Sequence, residues 1–209
     1  RYTWVCFFFL LLGISCKPKK QDDPASGSPE KKWWKEATVY QIYPRSFQDS
    51  DGDGIGDLKG IISRLDYIKS LGIDAVWLNP VYASPMKDNG YDISDYENIH
   101  PLFGNMQDFD SLLKGFHDRG IKVMMDMVLN HCSDEHRWFR EARKSRNSPY
   151  YGYFHWWPAE KGEPPYRWSI FDEKAYGWEY NKATNSYYLH YFADFQPDRI
   201  VPVNRFDDP

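Results

Sequence analysis

The stretch that most constrains the fold runs from Lys122 to His131 and reads KVMMDMVLNH. It opens with an apolar run and ends in polar side chains. Successive side chains of an extended chain alternate between two faces, so Asp126, Val128 and Asn130 share one face. Apolar residues on both faces, followed by polar ones, predict a buried parallel strand whose carboxyl end lines a site. Periodicity alone equally allows a core strand that leads into a polar loop.

Two further strand-like segments precede this stretch, and helical patterns separate the three. Ala37–Tyr43 is rich in β-branched and aromatic residues, and Ala75–Leu78 is a short apolar run. Strands that alternate with helices imply a parallel sheet, either open or closed into a barrel. In both arrangements the functional site lies at the carboxyl ends of the strands.

The helical patterns have recognisable ends. Apolar residues recur at helical spacing from Leu58 to Leu71, Gly72 ends the pattern, and Asp57 stands where it can cap the first turn. A second helix is predicted from about Met106 to the residues before Gly120.

The pattern changes after His131. Residues 133–194 are crowded with aromatic, proline and charged residues and show no strand–helix repeat. A loop of this length without structure would be unusual in a compact domain. We therefore predict a small, irregular subdomain inserted after the third strand.

Composition excludes some functions. The chain has 209 residues, a net charge of −4 and no basic stripe, so nucleic acid is not an expected partner. Aromatic residues make up 18% of the chain, and such rings stack on sugars or fill cores. The three cysteines, Cys6, Cys16 and Cys132, form neither a metal-binding spacing nor a disulfide framework.

The N-terminus predicts export. The run VCFFFLLL, residues 5–12, is too short to span a bilayer as a helix but suits a secretory signal. The sequence LLGISC resembles a bacterial lipoprotein signal, which would make Cys16 the lipidated residue of an envelope protein in the periplasm or outer membrane. An ordinary cleaved signal with a chance cysteine is the alternative. Residues 17–32 are predicted to be a flexible tether.

The segment DSDGDGIGD, residues 49–57, suggests a calcium site. Its acidic residues alternate, with glycine sixth, as at the start of an EF-hand loop, although the glutamate expected at the twelfth position is missing. Calcium prefers carboxylate and carbonyl oxygens. The candidate ligands are Asp49, Asp51, Asp53, Asp57 and the carbonyl of Ile55. A metal-free Asp/Gly turn is the alternative.

Five motifs occur together in order. They are YQIYPRSF (40–47), DNGYDISDY (88–96), DMVLNH (126–131), SDEHRWF (133–139) and FQPD (195–198). With them the chain resembles the α-amylase family of glycoside hydrolases over residues 33–198, most closely its oligo-1,6-glucosidase and α-glucosidase branch. That branch often carries a structural metal in the Asp/Gly loop.

The resemblance implies a domain organisation. The expected fold is the N-terminal part of a (β/α)8 TIM barrel, strands 1–3, with an inserted small subdomain after strand 3. Residues 1–16 would be the signal, 33–131 the first three barrel units and 132–198 the subdomain. Residues 199–209 depart from the family pattern, through divergence or a lost reading frame.

The resemblance also implies roles for individual residues. Asp88 would hydrogen-bond the non-reducing end of a terminal glucosyl unit, and Tyr91 would stack beneath its ring. His131 would donate to the hydroxymethyl oxygen. Asp126 would brace the barrel mouth through an arginine on a later strand. Phe171 would wall the pocket.

By the same resemblance, the function is that of a secreted α-glucosidase. It would hydrolyse α-1,6 or α-1,4 bonds in short α-gluco-oligosaccharides by a retaining mechanism, which needs two carboxyl groups about 5–5.5 Å apart. The family carries these groups on strands four and five, so we expect this stretch to be an N-terminal fragment that is inactive alone. Two alternatives remain: a non-catalytic sugar-binding or assembly protein, and a transglucosidase or trehalose-type isomerase.

Overall fold

The computed structural model describes residues 32–171 and 176–200. The chain divides into one unit over residues 1–36 and another over residues 37–209. In the first unit the described residues include a 3-10 turn, Trp33–Lys35. The predicted signal, Cys16 and the tether up to residue 31 lie outside the described residues. Within the described ranges no helix has the length and apolar character that crossing a membrane requires.

The second unit combines strands and short helices. The strands, in chain order, are β1 (Val39–Ile42), β2 (Ala75–Leu78), β3 (Tyr82–Ala83), β4 (Asp95–Ile99), β5 (Lys122–Met125), β6 (Trp156–Pro158), β7 (Trp178–Asn181) and β8 (Ser186–Leu189). The α-helices are α1 (Leu58–Ser63), α2 (Leu65–Ser70), α3 (Met106–Asp118) and α4 (Arg137–Ala142). Short 3-10 turns cover Pro44–Ser46, Tyr151–Tyr153 and Ala159–Lys161.

A parallel three-stranded sheet forms the base of this unit. Its order is β1-β2-β5, so the central strand β2 pairs with one strand on each side. Val76, for example, lies opposite Tyr40 and Val123. The connections between these strands carry α1, α2 and α3, which is the strand–helix alternation expected of the first three units of a barrel.

One apolar core joins the sheet to the helices. Its fully buried members include Ile42, Val76, Leu78, Leu58, Ile61, Ile68, Leu112 and Phe116. Burying each such side chain contributes about 1.5–3 kcal/mol to folding. The sheet and its helices are therefore a rigid base for the loops that follow the strands.

The predicted cap at Asp57 is confirmed, but the first predicted helix is interrupted. Asp57 caps α1 by accepting a hydrogen bond from the backbone N–H of Gly60 at 2.7 Å. The single helix predicted from Leu58 to Leu71 is wrong, because the chain leaves helical geometry at Arg64 (φ −109°, ψ 8°). The hydroxyl of Ser63 donates to the Gly60 carbonyl, and such back-bonding bends helices.

The strand predicted from Lys122 to His131 is much shorter than expected. Regular pairing ends at Met125, and Met127 is 77% exposed, so burial on both faces is wrong for this segment. Beyond β5, tyrosine hydroxyls take the place of ladder partners. Tyr82 donates to the carbonyl of Asp126 at 3.3 Å, and Tyr96 donates to the carbonyl of Val128 at 2.9 Å.

The segment after His131 is more regular than its sequence suggests. It contains α4 and an antiparallel sheet with the order β6-β8-β7, so the prediction of an irregular subdomain is wrong. A tight turn that ends at Asn185 (φ 47°) joins β7 to β8. Phe139, Phe154 and Tyr188 form a second core with the buried free thiol of Cys132.

Residues 195–200 return to the end of the organising strand. His131 and Asp198 form an isolated bridge, and the N–H of Arg199 donates to the carbonyl of Asn130 at 2.8 Å. The FQPD motif therefore lies beside the polar end of the stretch that begins with β5.

Candidate functional site

A cavity of about 580 Å³ lies beyond the carboxyl end of β5. Its lining includes Asp88, Tyr91, Asp126, His131, Phe171 and Phe192. The first five are the residues predicted to bind the sugar, and the structure brings all five to one cavity. Ligand pockets in proteins commonly have volumes of about 300–1,000 Å³. The roles of these five residues in sugar binding stay predictions.

Asp126 is held by two neighbouring side chains. Its carboxylate accepts hydrogen bonds from Trp77 Nε1 at 2.6 Å and from the hydroxyl of Tyr91 at 2.7 Å. The Tyr91 hydroxyl also accepts from Asn79 Nδ2 at 3.0 Å. Burial, followed by the hydrogen bond to Asp126, raises the pKa of Tyr91 to about 12, so its hydroxyl stays protonated and donates. The arginine partner of Asp126 on a later strand stays a prediction.

Asp88 lies on a loop whose backbone N–H groups donate to the buried carboxylate of Asp92. Asp92 is fully buried and accepts from the Ser84 hydroxyl at 2.9 Å, from the Lys87 N–H at 3.0 Å and from the Asp88 N–H at 3.1 Å. A buried carboxylate needs such donors, because an unpaired buried charge is costly. Asp92 therefore fixes the backbone that carries Asp88.

Gln196 lies between Asp88 and His131. Its Oε1 accepts from the Ala193 N–H at 3.2 Å, which fixes the orientation of the amide. Its Nε2 then donates to Asp88 Oδ2 at 2.8 Å and lies 3.1 Å from His131 Nε2. The FQPD motif pointed to this residue, but its place between the two predicted sugar ligands was not foreseen.

His131 is buried at the pocket. Burial lowers its pKa, so the uncharged imidazole is favoured. Its Nε2 lies 3.1 Å from the carbonyl of Tyr91, which can only accept, so we place the ring proton on Nε2. A sugar oxygen that uses this proton would have to share it with Tyr91.

Two aromatic rings form one wall of the cavity. Phe171 was predicted and is largely exposed, whereas Phe192 is half-buried and was missed. The Phe192 ring lies 5.6 Å from Phe171 and 4.9 Å from His131. Carboxylates that face such rings can bind a ligand with hydroxyl groups on its edges and C–H groups on its faces.

Asp198 is hydrogen-bonded to Asn130, the residue before His131. It is buried and accepts from Asn130 Nδ2 at 3.0 Å, which ties the returning chain to the end of the organising strand. Burial raises the pKa of Asp198 to about 6. Its carboxyl group is therefore titratable near neutral pH.

The acidic loop before α1 has a donor set that suits calcium. Asp49, Asp51 and Asp57 each offer an oxygen, and these oxygens lie within 4.8 Å of one another. Calcium–oxygen distances of about 2.3–2.6 Å put opposite ligands about 5 Å apart, so one ion fits. Two N–H donors, of Gly52 at 2.7 Å and Gly54 at 2.8 Å, lower the pKa of Asp49 and keep it ionised.

The structure does not bring every predicted metal ligand into this group. Asp53 lies outside it, and its Oδ1 accepts from the N–H of Ile55 at 2.7 Å. Gly52 and Gly54 have positive φ angles of 88° and 86°, which glycine adopts without strain and which let the loop fold back on itself. Coordination by the Ile55 carbonyl stays a prediction.

Known proteins match most of the chain. The family described as "Alpha amylase, catalytic domain" matches residues 41–201. An oligo-1,6-glucosidase of Parageobacillus thermoglucosidasius is 58% identical over 170 residues, which cover 81% of this chain and 30% of that protein. An alpha-glucosidase of Candida albicans is 52% identical over 175 residues, covering 81% and 30%.

Solved structures also match most of the chain. The isomaltulose synthase SmuA from Protaminobacter rubrum is 51% identical with a TM-score of 0.77, covering 81% of this chain and 30% of that one. A MutB mutant in complex with sucrose is 50% identical with the same TM-score, covering 82% and 31%. The chain thus spans less than a third of these relatives, and the predicted fold class is confirmed. The chain belongs to the α-amylase family of glycoside hydrolases.

Proposed function

We propose that the cavity binds the terminal glucosyl unit of a short α-gluco-oligosaccharide, and that the protein is an α-glucosidase acting on α-1,6 or α-1,4 bonds. The observation that carries this proposal is the meeting of Asp88, Tyr91, Asp126 and His131 with two phenylalanine rings in one cavity. The names of the relatives, oligo-1,6-glucosidase and alpha-glucosidase, support the substrate class.

The chain's own residues would bind and orient the sugar. Asp88 Oδ2 is used by Gln196, and Oδ1 has no hydrogen-bond partner among the described residues, so it is available to a hydroxyl group. Phe192 and Phe171 offer ring faces to the apolar side of the sugar. Asp126 holds the Tyr91 hydroxyl in place, so the tyrosine ring is fixed before the ligand arrives.

We assign bond cleavage to a retaining mechanism by membership of the family. That chemistry uses a carboxylate nucleophile and a carboxylic acid about 5–5.5 Å apart. In this proposal Asp88 and Asp126 are binding and bracing groups, because both carboxylates are already engaged by Gln196, Trp77 and Tyr91. Their task is to hold the glucosyl unit where the reacting pair attacks.

Transfer of the glucosyl unit to another sugar is a second candidate. The observation that favours it is the 50–51% identity to solved structures of an isomaltulose synthase, a trehalulose synthase and an alpha-glucosyl transfer enzyme. Hydrolysis and transfer share the pocket for the terminal unit and differ in the acceptor, water or sugar. Chromatography of the products that the whole protein forms from isomaltose and from sucrose separates the two activities.

We propose that the acidic loop holds one Ca²⁺ through Asp49, Asp51 and Asp57. Bound there, the ion would supply charge neutralisation and a fixed loop geometry next to the start of α1. Its role would be structural, because nothing in the pocket network described above involves this loop.

We also propose export to a bacterial envelope with lipid attached to Cys16, on the strength of the sequence LLGISC alone. Several acyl chains anchor a protein firmly, whereas one anchors it weakly. The membrane would then be a partner only through this lipid.

Calorimetric titration with glucose and with galactose tests the pocket. Asp88 is proposed to recognise the non-reducing end, so glucose should bind more tightly than galactose, which differs only in the orientation of one hydroxyl group. The variant Asp88→Asn should weaken glucose binding about tenfold, which corresponds to about 1.4 kcal/mol.

The matched control is Asp118→Asn on α3, an exposed carboxylate paired with Lys114. It should bind glucose as the unchanged protein does. Equal affinities for glucose and galactose, or equal losses in Asp88→Asn and Asp118→Asn, would contradict the proposed pocket.

A further inference from the structure

A series of hydrogen bonds runs from β1 across the sheet to the pocket. Gln41 Nε2 donates to Asn79 Oδ1 at 3.0 Å, and Asn79 Nδ2 donates to the Tyr91 hydroxyl at 3.0 Å. The Tyr91 hydroxyl in turn donates to Asp126 Oδ2 at 2.7 Å. We call these four residues the strand-end network. Tyr91 and Asp126 line the cavity, whereas Gln41 and Asn79 do not, so the network connects the pocket to residues outside its lining.

The parallel sheet brings the two amides of the network together. Gln41 on β1 lies opposite Trp77 on β2, so both side chains project from the same face of the sheet. An extended chain puts Asn79, two positions after Trp77, on that face as well. The backbone N–H of Asn79 donates to the carbonyl of Ile42 at 3.0 Å. This bond ties the end of β2 to β1 and holds Asn79 beside Gln41.

The hydrogen bonds of the network fit together in one direction. A carboxylate accepts but does not donate, so the proton of the Tyr91 hydroxyl goes to Asp126. The hydroxyl has no second proton and therefore accepts from Asn79, whose amide nitrogen must face it. The amide oxygen of Asn79 then faces Gln41, which has to donate. Each orientation thus depends on the next one, from Asp126 back to Gln41.

The other carboxylate oxygen of Asp126 also depends on β2. Trp77 Nε1 donates to Asp126 Oδ1 at 2.6 Å, and Trp77 does not line the cavity. Each oxygen of Asp126 therefore has a donor, one from Trp77 directly and one from Tyr91, which Asn79 holds. The hydroxyl of Tyr91 is fixed on two sides before a ligand arrives, and such preorganisation reduces the entropy cost of binding.

We propose that Gln41 and Asn79 are positioning residues for the pocket, which set the orientation of the Tyr91 hydroxyl and of the Asp126 carboxylate without contacting the sugar. The proposal rests on the proposed function, because Tyr91 and Asp126 belong to the pocket for the glucosyl unit. Hydrogen bonds in series polarise one another, so each strengthens its neighbours. A change at Gln41 therefore reaches the pocket through Asn79 and Tyr91.

The substitution Gln41→Glu tests the direction of the network. Glutamate has nearly the same shape as glutamine but places an acceptor opposite Asn79 Oδ1. The Asn79 amide then either loses this bond or turns round, and a turned amide presents its oxygen to the Tyr91 hydroxyl. The hydroxyl proton is thereby drawn away from Asp126. Gln107→Glu, the same chemical change at an exposed position of α3, is the matched control.

Two measurements follow this change. The first is the resonance of the Trp77 indole N–H in a nitrogen–proton correlation NMR spectrum, assigned with Trp77→Phe, which reports on Asp126 without any sugar. The second is the calorimetric affinity for glucose. Gln41→Glu should shift the indole resonance and weaken glucose binding about fivefold, which corresponds to about 1 kcal/mol, a typical value for one hydrogen bond. Gln107→Glu should change neither.

A double-mutant cycle separates the network from a general effect of the added charge. Tyr91→Phe keeps the ring but removes the hydroxyl, so in this background Gln41→Glu should alter neither the indole resonance nor the glucose affinity. Gln41→Ala, which removes the donor without adding a charge, should shift the indole resonance when the Tyr91 hydroxyl is present and not when it is absent. Urea midpoints verify that each variant is folded.

The positioning role and the pocket fail in different ways. An indole resonance that Gln41→Glu leaves in place, or an equal shift with and without the Tyr91 hydroxyl, would overturn the network. A shifted resonance with unchanged glucose affinity would overturn the positioning role alone. A hydroxyl-dependent shift in a protein that binds no glucose would support the network and overturn the proposed function.

Discussion

Replacing Asp92 with alanine tests whether one buried carboxylate holds the loop that carries Asp88. Asp92 is fully buried and receives three hydrogen bonds, from the Ser84 hydroxyl and from the N–H groups of Lys87 and Asp88. Removing the carboxylate leaves these three donors without an acceptor. The loop then has no fixed geometry, and Asp88 moves with it.

The magnitude follows from the three bonds. A hydrogen bond to a charged group contributes about 1.5–3 kcal/mol. The Ser84 hydroxyl can rotate, and the two N–H groups are only part-buried, so water replaces part of the loss. We therefore expect Asp92→Ala to lower the free energy of unfolding by about 3–5 kcal/mol, somewhat less than three full charged hydrogen bonds would contribute. Asp92→Asn keeps one acceptor oxygen and should lose about half as much.

Urea unfolding, followed by far-UV circular dichroism, measures this effect. With a denaturant dependence of about 2 kcal/mol per molar urea, the midpoint of Asp92→Ala should fall by about 2 M. Asp118→Asn is the matched control, because its carboxylate is exposed and its loss should change stability by less than about 0.5 kcal/mol. A midpoint for Asp92→Ala that equals the control's would refute the argument.

Four further predictions use other parts of the structure. Gln196→Glu replaces the amide that donates to Asp88 Oδ2 at 2.8 Å with a second carboxylate, so the two like charges should repel, displace Asp88 and weaken glucose binding; an unchanged affinity would contradict this. Calcium at 100 times its Kd should raise stability by about 2.7 kcal/mol, and Asp49→Ala should remove the difference in melting temperature between excess calcium and excess chelator; equal melting temperatures of the unchanged protein would exclude the site. Burial raises the pKa of Asp198 from 3.8 to about 6, so the folded state holds the carboxyl proton of Asp198 more tightly than the unfolded chain does. The free energy of unfolding should therefore fall by about 2–3 kcal/mol as pH rises from 4 to 6. Urea titrations should show a smaller fall in Asp198→Asn, and equal falls would refute the raised pKa of Asp198. Cys16→Ser should release the protein from membranes in cell fractionation, and unchanged membrane association would rule out the lipid anchor.

The sequence determined the parallel sheet because local pattern and global fold agree there. Ala75–Leu78 is apolar on both faces, and the structure makes it the central strand with the same bounds. Asp57 and Gly120 mark helix ends through capping and positive φ, which are local properties that a sequence displays directly. The interruption at Arg64 has no such signal, since it depends on a side chain bonding to its own helix.

The sequence also supplied the residues of the pocket, but only through motifs that occur in order. Nothing local in Asp88 or His131 reveals that they meet, because they are 43 positions apart and a strand–helix–strand unit lies between them. Tertiary structure alone decided that Gln196 lies between them and that Phe192 and Phe171 form one wall of the cavity. Contacts between distant segments leave no periodic signal in either segment.

The inserted subdomain is where tertiary structure decided most. Its aromatic residues look alike in sequence, yet Phe154 is buried in its core and Trp168 is exposed in a groove. A ring's burial depends on which strands pair around it, and antiparallel pairing of β6, β8 and β7 brings together residues up to 32 positions apart. The sequence set which rings were available, and the pairing of the strands decided which of them pack and which face solvent.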